Sequence, residues 1–252
     1  MLYNQRVEFV LQQLQLQSTV KVSDLSRQLQ VSVDTVRRDL KAMEQQGLIR
    51  CVRGGACMSE SRVSMADFTG REIIHSDLKR EAVQKALPYI KEGEVVALNS
   101  GTTNTILAQE LVATGKKCTV VTNNFAAATV LLGAHNIELI FIGGRMDPQE
   151  RSTYGTQCLE EFQKYHPDVA LLSINAVNYK DGYTDFRFDE IGVIQLLAER
   201  ARQVIAVMDS SKLGKCSKRL VLTSDQVDLL VMDNHVVPDI RDKYEAKGIS
   251  II

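Results

Sequence analysis

No apolar run in this chain approaches the roughly 20 residues that a membrane-spanning helix needs. Its first residues lack the charged-then-apolar pattern of a secretory signal. Cysteine is sparse and unpatterned: Cys51, Cys57, Cys118, Cys158 and Cys216 are odd in number, with no CxxC spacing and no Cys/His cluster. A disulfide framework and a metal site are therefore not expected, and the chain reads as cytoplasmic and without membrane contact. Cys51 and Cys57 can be read either as a redox pair facing across a hairpin or as small packing residues. Neither GxxxxGKS/T nor GxGxxG occurs, so the chain is not expected to carry a nucleotide or dinucleotide cofactor.

What is present suits two soluble domains. The chain has 252 residues with 44% hydrophobic content, enough for a substantial core. Charge is unevenly spread. Residues 1–58 hold eight Lys/Arg against five Asp/Glu, whereas residues 59–252 hold 22 against 26. A basic head on a mildly acidic body fits a small nucleic-acid-binding domain joined to one that does not bind DNA.

The head carries the strongest pattern. Ser32 is a candidate helix cap, and from there Val33, Val36, Leu40 and Met43 recur at spacings of three and four, on one helical face. The other face carries Asp34, Thr35, Arg37, Arg38 and Lys41. A shorter helix over 22–29 precedes it, with Ser23 as its candidate cap. About three residues separate the two, the connection length of a helix-turn-helix. Residues 6–16 supply a first helix with Val7, Val10, Leu11 and Leu14 inward. Residues 48–58, with Arg50 and Arg53 beside a Gly-Gly pair, suit a basic hairpin. Together they predict a winged helix-turn-helix over 1–58. Ser32, Asp34, Thr35, Arg37, Arg38, Lys41, Arg50 and Arg53 are its candidate DNA contacts, and double-stranded operator DNA its partner.

Residues 59–70 are polar and small, a plausible linker, and 71–252 form the second domain. The chain turns helical from about Asp67 to Tyr89. Apolar runs at 95–98, 118–122, 137–142, 169–174, 204–208 and 229–232 then alternate with helical segments at 103–113, 124–132, 156–165, 189–201 and 239–247. That alternation predicts an α/β fold with a mostly parallel sheet covered on both faces. Ligands of such sheets collect beyond the carboxyl ends of the strands.

Three such ends are chemically loaded. Asn99-Ser100-Gly101-Thr102-Thr103 couples a glycine turn and hydroxyls to a helix N-terminus, which suits a phosphate on a small molecule; such turns also serve as plain caps. Asp209-Ser210-Ser211-Lys212 offers a carboxylate and an ammonium, or is a charged surface turn. The stretch 181–190, with Asp185 and Glu190, reads as a lid or polyol contact, or as a solvent-facing loop. Asn123 and Asn124 can recognise hydroxyls, and Gly143-Gly144 either admits a ligand or merely turns the chain.

These motifs, in this order, resemble the DeoR-type bacterial transcriptional repressors nearly end to end. The match includes Val-Ser-x-x-Thr-Val-Arg-Arg-Asp-Leu, Arg-x-Val-Arg-Gly-Gly-Ala, Lys79-Arg80, Ser100-Gly101-Thr102-Thr103, Thr122-Asn123-Asn124 and Asp209-Ser210-Ser211-Lys212-Leu213-Gly214. The resemblance implies a second domain similar in fold to ribose-5-phosphate isomerase and the CoA transferases. It implies a small phosphorylated sugar or polyol as effector, and a homodimer or homotetramer on the operator. It also implies that Ser100 to Thr103 hold phosphate, completed by Lys79, Asp209 and Lys212. With Asn99, Gly101, Asn123, Asp185 and Glu190 these are the candidate effector residues. Four positions depart from the family pattern: Asn99 for Asp, Val52-Arg53 for a His pair, Asn175-Ala176-Val177 for a glycine-containing segment, and Gln195 for a basic residue.

The expected function is a transcriptional regulator, most simply a repressor of a carbohydrate operon released by its effector, and not an enzyme. The alternative is a sugar-phosphate isomerase with an appended DNA-binding head. Isomerisation needs a general base, and Asn99, Asn123 and Asn124 occupy positions where a carboxylate would serve. Asp185, Asp189 or Glu190 remain available for that role.

Overall fold

The computed structural model describes residues 2–17, 19–46, 48–58 and 68–252. The chain divides into two compact units, 1–76 and 77–252.

In the first unit, α1 (Tyr3–Leu16), α2 (Val22–Leu29) and α3 (Val33–Gln45) enclose an apolar core with Val7, Val10, Leu25, Leu29, Val36, Leu40 and Met43. The turn between α2 and α3 is tight. Gln30 takes a left-handed conformation at φ 55°, and the Ser26 hydroxyl donates to the Val31 carbonyl at 2.6 Å. Ser32 caps α3, its Oγ accepting from the Thr35 N–H at 3.1 Å. Ser23 is not a cap: α2 begins one residue earlier at Val22, and Lys21 stands at the cap position. Val33, at the first position of α3, is 39% exposed rather than inward; Asp39 is the additional buried residue. Its carboxylate takes a two-bond contact from Arg6, at 2.7 and 3.1 Å, tying α1 to α3.

The wing is three-stranded. β1 (Thr19–Lys21) pairs with β3 (Gly55–Met58), which pairs in turn with β2 (Ile49–Val52). The turn is Arg53-Gly54, with Gly54 at φ 82°. At Gly55 a Cβ would lie 1.9 Å from the Val20 carbonyl oxygen, so only glycine permits the β1–β3 approach. Cys51 lies opposite Ala56, and Cys57 opposite Arg50. The two cysteines are therefore offset by one position, and strand alternation directs them to opposite faces.

Residues 59–67, most of the expected linker, lie outside the described residues. Helix α4 (Phe68–Ile73) follows and belongs to the first unit, where Ile74 joins the core. The expected continuous helix to Tyr89 is interrupted. His75 is left-handed at φ 55°, its N–H donating to Glu8 at 3.2 Å, and Pro88 ends α5 (Ser76–Ala86) in a 3-10 turn.

The second unit is built on six parallel strands: β4 (Val95–Leu98), β5 (Cys118–Thr122), β6 (Ile137–Phe141), β9 (Val169–Leu172), β12 (Gln203–Val207) and β14 (Leu229–Val231). Their order is β14-β12-β9-β4-β5-β6. One face packs on α5, α6 (Thr102–Thr114) and α7 (Phe125–Leu131). The other packs on α8 (Thr156–Phe162), α9 (Ile191–Arg200) and α10 (Pro238–Glu245). Along β4 the residues alternate between these cores, Val96 and Leu98 in one and Ala97 in the other.

Two small sheets were not expected. The hairpin β7 (Arg145–Asp147) and β8 (Ser152–Tyr154) follows the Gly143-Gly144 turn. An antiparallel sheet joins β10 (Ala176–Asn178), β11 (Gly182–Asp185) and β13 (Arg219–Leu222). Much of 181–190, read as a possible solvent-facing loop, is thus a buried strand followed by a 3-10 turn over Phe188–Glu190.

Candidate functional site

The strand order reverses between β4 and β9. From β4 the chain builds outward through β5 and β6, then crosses to β9 and builds the other way. The crevice at the carboxyl ends of that pair is where such sheets receive ligands. Asn99 follows β4, Ser173 follows β9, and their contact spans the reversal. Asn99 Nδ2 donates to the Ser173 carbonyl at 3.0 Å, and its Oδ1 accepts from the Ser173 N–H at 2.8 Å. An aspartate here would have no donor for Ser173, which accounts physically for the amide.

Gly101 makes the turn at φ 133°. A Cβ on it would fall 2.5 Å from Ser173 Oγ and 3.2 Å from an Arg187 terminal nitrogen. Helix α6 then starts at Thr102 with no side-chain cap, and the Thr103 hydroxyl is fully buried without a hydrogen-bond partner. Asn123 likewise has a buried, unpartnered Oδ1. Asn124 is a structural cap: it accepts from the Ala127 N–H at 3.0 Å and donates to the Gly101 carbonyl at 3.1 Å.

One short segment, 185–190, grips the Ser100 turn. Arg187 has all five N–H groups engaged within 3.1 Å. Its terminal nitrogens donate to the Ser100 carbonyl, Ser100 Oγ, the Ser173 carbonyl and Asp185, and its Nε donates to Asp185. From the other side Glu190 accepts from the Ser100 N–H at 3.3 Å, Asn123 Nδ2 at 2.8 Å and Ser152 Oγ at 3.0 Å. Both carboxylates are buried. Burial pushes Asp185 up, but the guanidinium beside it and its hydrogen bonds outweigh this, and the net direction is down. For Glu190 burial wins over Arg187 and the three donors, and the carboxyl is raised above its ordinary range.

A second group stands beside this one. Lys212 Nζ donates to the Ile174 carbonyl at 3.2 Å and lies 3.8 Å from the buried Asp209, which also accepts from Ser211 Oγ. Lys79 is buried on α5. Asp189 is exposed. Arg187 lies within the 181–190 stretch but is not among the candidate effector residues; a basic residue two positions after Asp185 is its local signal in the sequence.

On the first unit, Ser32, Asp34, Arg37, Arg38, Lys41, Arg50 and Arg53 are exposed and Thr35 is half-buried. Asp34 pairs with Arg37 at 3.5 Å. Ser32 thus caps α3, Arg37, Arg38 and Lys41 lie exposed along its first nine residues, and Arg50 and Arg53 flank the wing turn. No helix among the described residues is long and apolar enough to cross a membrane.

A winged helix-turn-helix joined to a parallel α/β domain with a polar crevice defines a ligand-sensing DNA-binding regulator. The comparisons agree. Residues 6–62 match the DeoR-like helix-turn-helix domain, and residues 74–234 match the DeoR C-terminal sensor domain. The transcriptional repressor GlcR of Bacillus subtilis is 30% identical over 100% of this chain and 96% of its own length. The regulator GolR of Listeria innocua is 29% identical over 92% and 91%. The L-fucose operon activator of Haemophilus influenzae is 26% identical over 96% of each. The chain belongs to the DeoR family of DNA-binding transcriptional regulators, which are not enzymes.

Two solved structures show a remote likeness. Ribose 5-phosphate isomerase A of Methanocaldococcus jannaschii is 17% identical over 55% of each chain, with a TM-score of 0.41. The eIF2B beta subunit of Chaetomium thermophilum is 15% identical over 90% of this chain and 67% of that one, with a TM-score of 0.47.

Proposed function

We propose that this regulator represses a carbohydrate-utilisation operon and is released by a small phosphorylated sugar or polyol bound at the β4–β9 crevice. The observation that carries the reading is the uncapped start of α6, with the buried, unpartnered Thr103 hydroxyl beside it. Helix N–H groups and a hydroxyl without an acceptor make a receptor for an anionic ester. Thr102 and Thr103 take the phosphate. Asn123 Oδ1, Asp209 and Lys212 face hydroxyls or complete the charge balance, and Lys79 contributes from α5. Asn99, Gly101 and Asp185 build the wall of this site, since their partners are other protein groups. Relatives named for a fucose operon and for repression support a carbohydrate role.

Arg37, Arg38 and Lys41 engage the major groove or its phosphates, with Arg50 and Arg53 on the flanking backbone. One recognition helix per chain suits a homodimer or homotetramer on paired half-sites. The effector releases DNA only through a difference in its affinity for two conformations. A coupling of about 1–3 kcal/mol changes operator affinity roughly five- to 150-fold.

The test is fluorescence anisotropy of the protein on the DNA upstream of its own gene, titrated with sugar and polyol phosphates and their dephosphorylated parents. Release by one ester and not by its parent supports the reading. Tight DNA binding indifferent to every phosphate rejects it.

A further inference from the structure

The Ser100 N–H is the strand-end donor next to the α6 receptor, and it is already taken by an anion from within the chain. Glu190 reaches it at 3.3 Å, held in place by Asn123 Nδ2 at 2.8 Å and Ser152 Oγ at 3.0 Å, and only 2% exposed. The carbonyl and hydroxyl of the same serine are held by Arg187 at 2.9 and 3.1 Å. The two clamps differ in kind. Arg187 is neutralised by Asp185 and uses every N–H it has, so it is a fixed support. Among the described residues Glu190 has no cation of its own within hydrogen-bond reach; its partners are an amide, a hydroxyl and a backbone N–H. It is a carboxylate resting on a site shaped for an anion.

We propose that Glu190 is the specificity-determining residue of the effector crevice, an internal anion that a ligand must displace or outbid for the Ser100 N–H. This rests on the reading of α6 as the phosphate receptor and says how that site selects. A doubly charged ester, with three oxygens to offer the Ser100–Thr103 turn, gains more there than a singly charged carboxylate does. The barrier favours phosphate monoesters over the sugar acids that share their hydroxyl pattern. Displacement also pulls on Phe188–Glu190, the turn that leads directly into α9.

The groups facing Glu190 define what its charge responds to. Arg187 lies on its own segment; Cys158 of α8 faces it with its thiol pushed up to about 11 by burial, and Glu150 acts on the same Arg187. Asn123 and Ser152 do not titrate. Neither Arg187 nor Cys158 changes charge between about pH 8 and pH 5, whereas the raised carboxyl of Glu190 takes up its proton earlier on acidification than an ordinary glutamate does.

The experiment uses full-length protein and inorganic sulfate, which stays a dianion across that range, measured by isothermal titration calorimetry. Wild type is expected to bind sulfate more tightly as pH falls, because a protonated Glu190 no longer opposes the ion. Glu190→Gln is expected to bind at least about tenfold more tightly at pH 8 and to lose the pH dependence. Ser152→Ala, which loosens the carboxylate without touching the α6 turn, is expected to shift affinity the same way by a smaller factor. Equal affinity and equal pH dependence in wild type and Glu190→Gln would overturn the proposal while leaving the receptor standing. Weaker binding by a folded Glu190→Gln would overturn it by making Glu190 a ligand contact. No sulfate binding by any of the three, nor any inorganic phosphate binding, would remove the receptor and the proposal together.

Discussion

Replacing Arg187 with methionine removes a cation that holds both the Asp185 carboxylate and the Ser100 turn. The pair is 5% and 0% exposed, and its shortest contact is 2.6 Å. Without the guanidinium, Asp185 keeps two backbone donors, Asn175 N–H at 3.1 Å and Arg187 N–H at 2.9 Å. A buried charge stripped of its partner typically costs about 3–5 kcal/mol. For a unit of this size each kcal/mol lowers the melting temperature by about 2–4 °C, so the sensor transition should fall by about 6–20 °C. The double variant Asp185→Leu/Arg187→Met removes both charges and should recover most of that loss. It should not recover the effector response, because Ser100 loses the Arg187 donors to its carbonyl and hydroxyl, while the Ser173 carbonyl keeps its bond from Asn99. Differential scanning calorimetry on the full chain reads the first quantity, and effector-dependent release from operator DNA reads the second. If Arg187→Met costs less than about 1 kcal/mol, or if the double variant is no more stable than the single, the ion pair does not support the turn and the reasoning fails.

Three further outcomes follow from the same geometry. Arg37→Ala and Arg38→Ala should each weaken operator binding while leaving anion binding at the sensor unchanged. For whichever of them contacts phosphate, the slope of log affinity against log salt should fall by about 1. Gly101→Ala puts a Cβ against Ser173 and Arg187 at a backbone conformation that side chains rarely adopt. It should abolish the effector response and destabilise the sensor by about 1–3 kcal/mol, seen by chemical denaturation. The raised carboxyl of Glu190 means the folded protein holds its proton more tightly than the unfolded chain does. Stability attributable to it is therefore gained as pH falls through the raised folded value, and is fully present below the ordinary glutamate range. The melting temperature of wild type minus that of Glu190→Gln should accordingly rise from pH 8 towards pH 5; a flat difference contradicts the burial argument.

The sequence by itself determined the elements whose causes are local. The Ser32 cap, the three-residue turn and the apolar spacing of α3 depend on neighbours within a helical turn or two, and all can be read along the chain. So can the six parallel strands, because a strand buried on both faces reads as an apolar run, and the residues that follow it lie at the ligand-binding edge. The tertiary structure alone decided which of those residues face a ligand and which face each other. Ser100 meets Glu190 across 90 residues and Arg187 across 87, and Asn99 meets Ser173 across 74. No periodicity reports such pairings. They follow from the order in which strands lie side by side, and from the β10-β11-β13 sheet that carries Asp185 to the crevice. Short strands of that kind, such as β11 with Gly-Tyr-Thr-Asp, look like loop in isolation, because their polar side chains are buried by partners far away in the chain. The same holds for Gly55, which reads as half of a wing turn until β1 is seen to lie against it. Capping and patterning are short-range and legible; the pairing of buried polar groups is long-range and had to be seen.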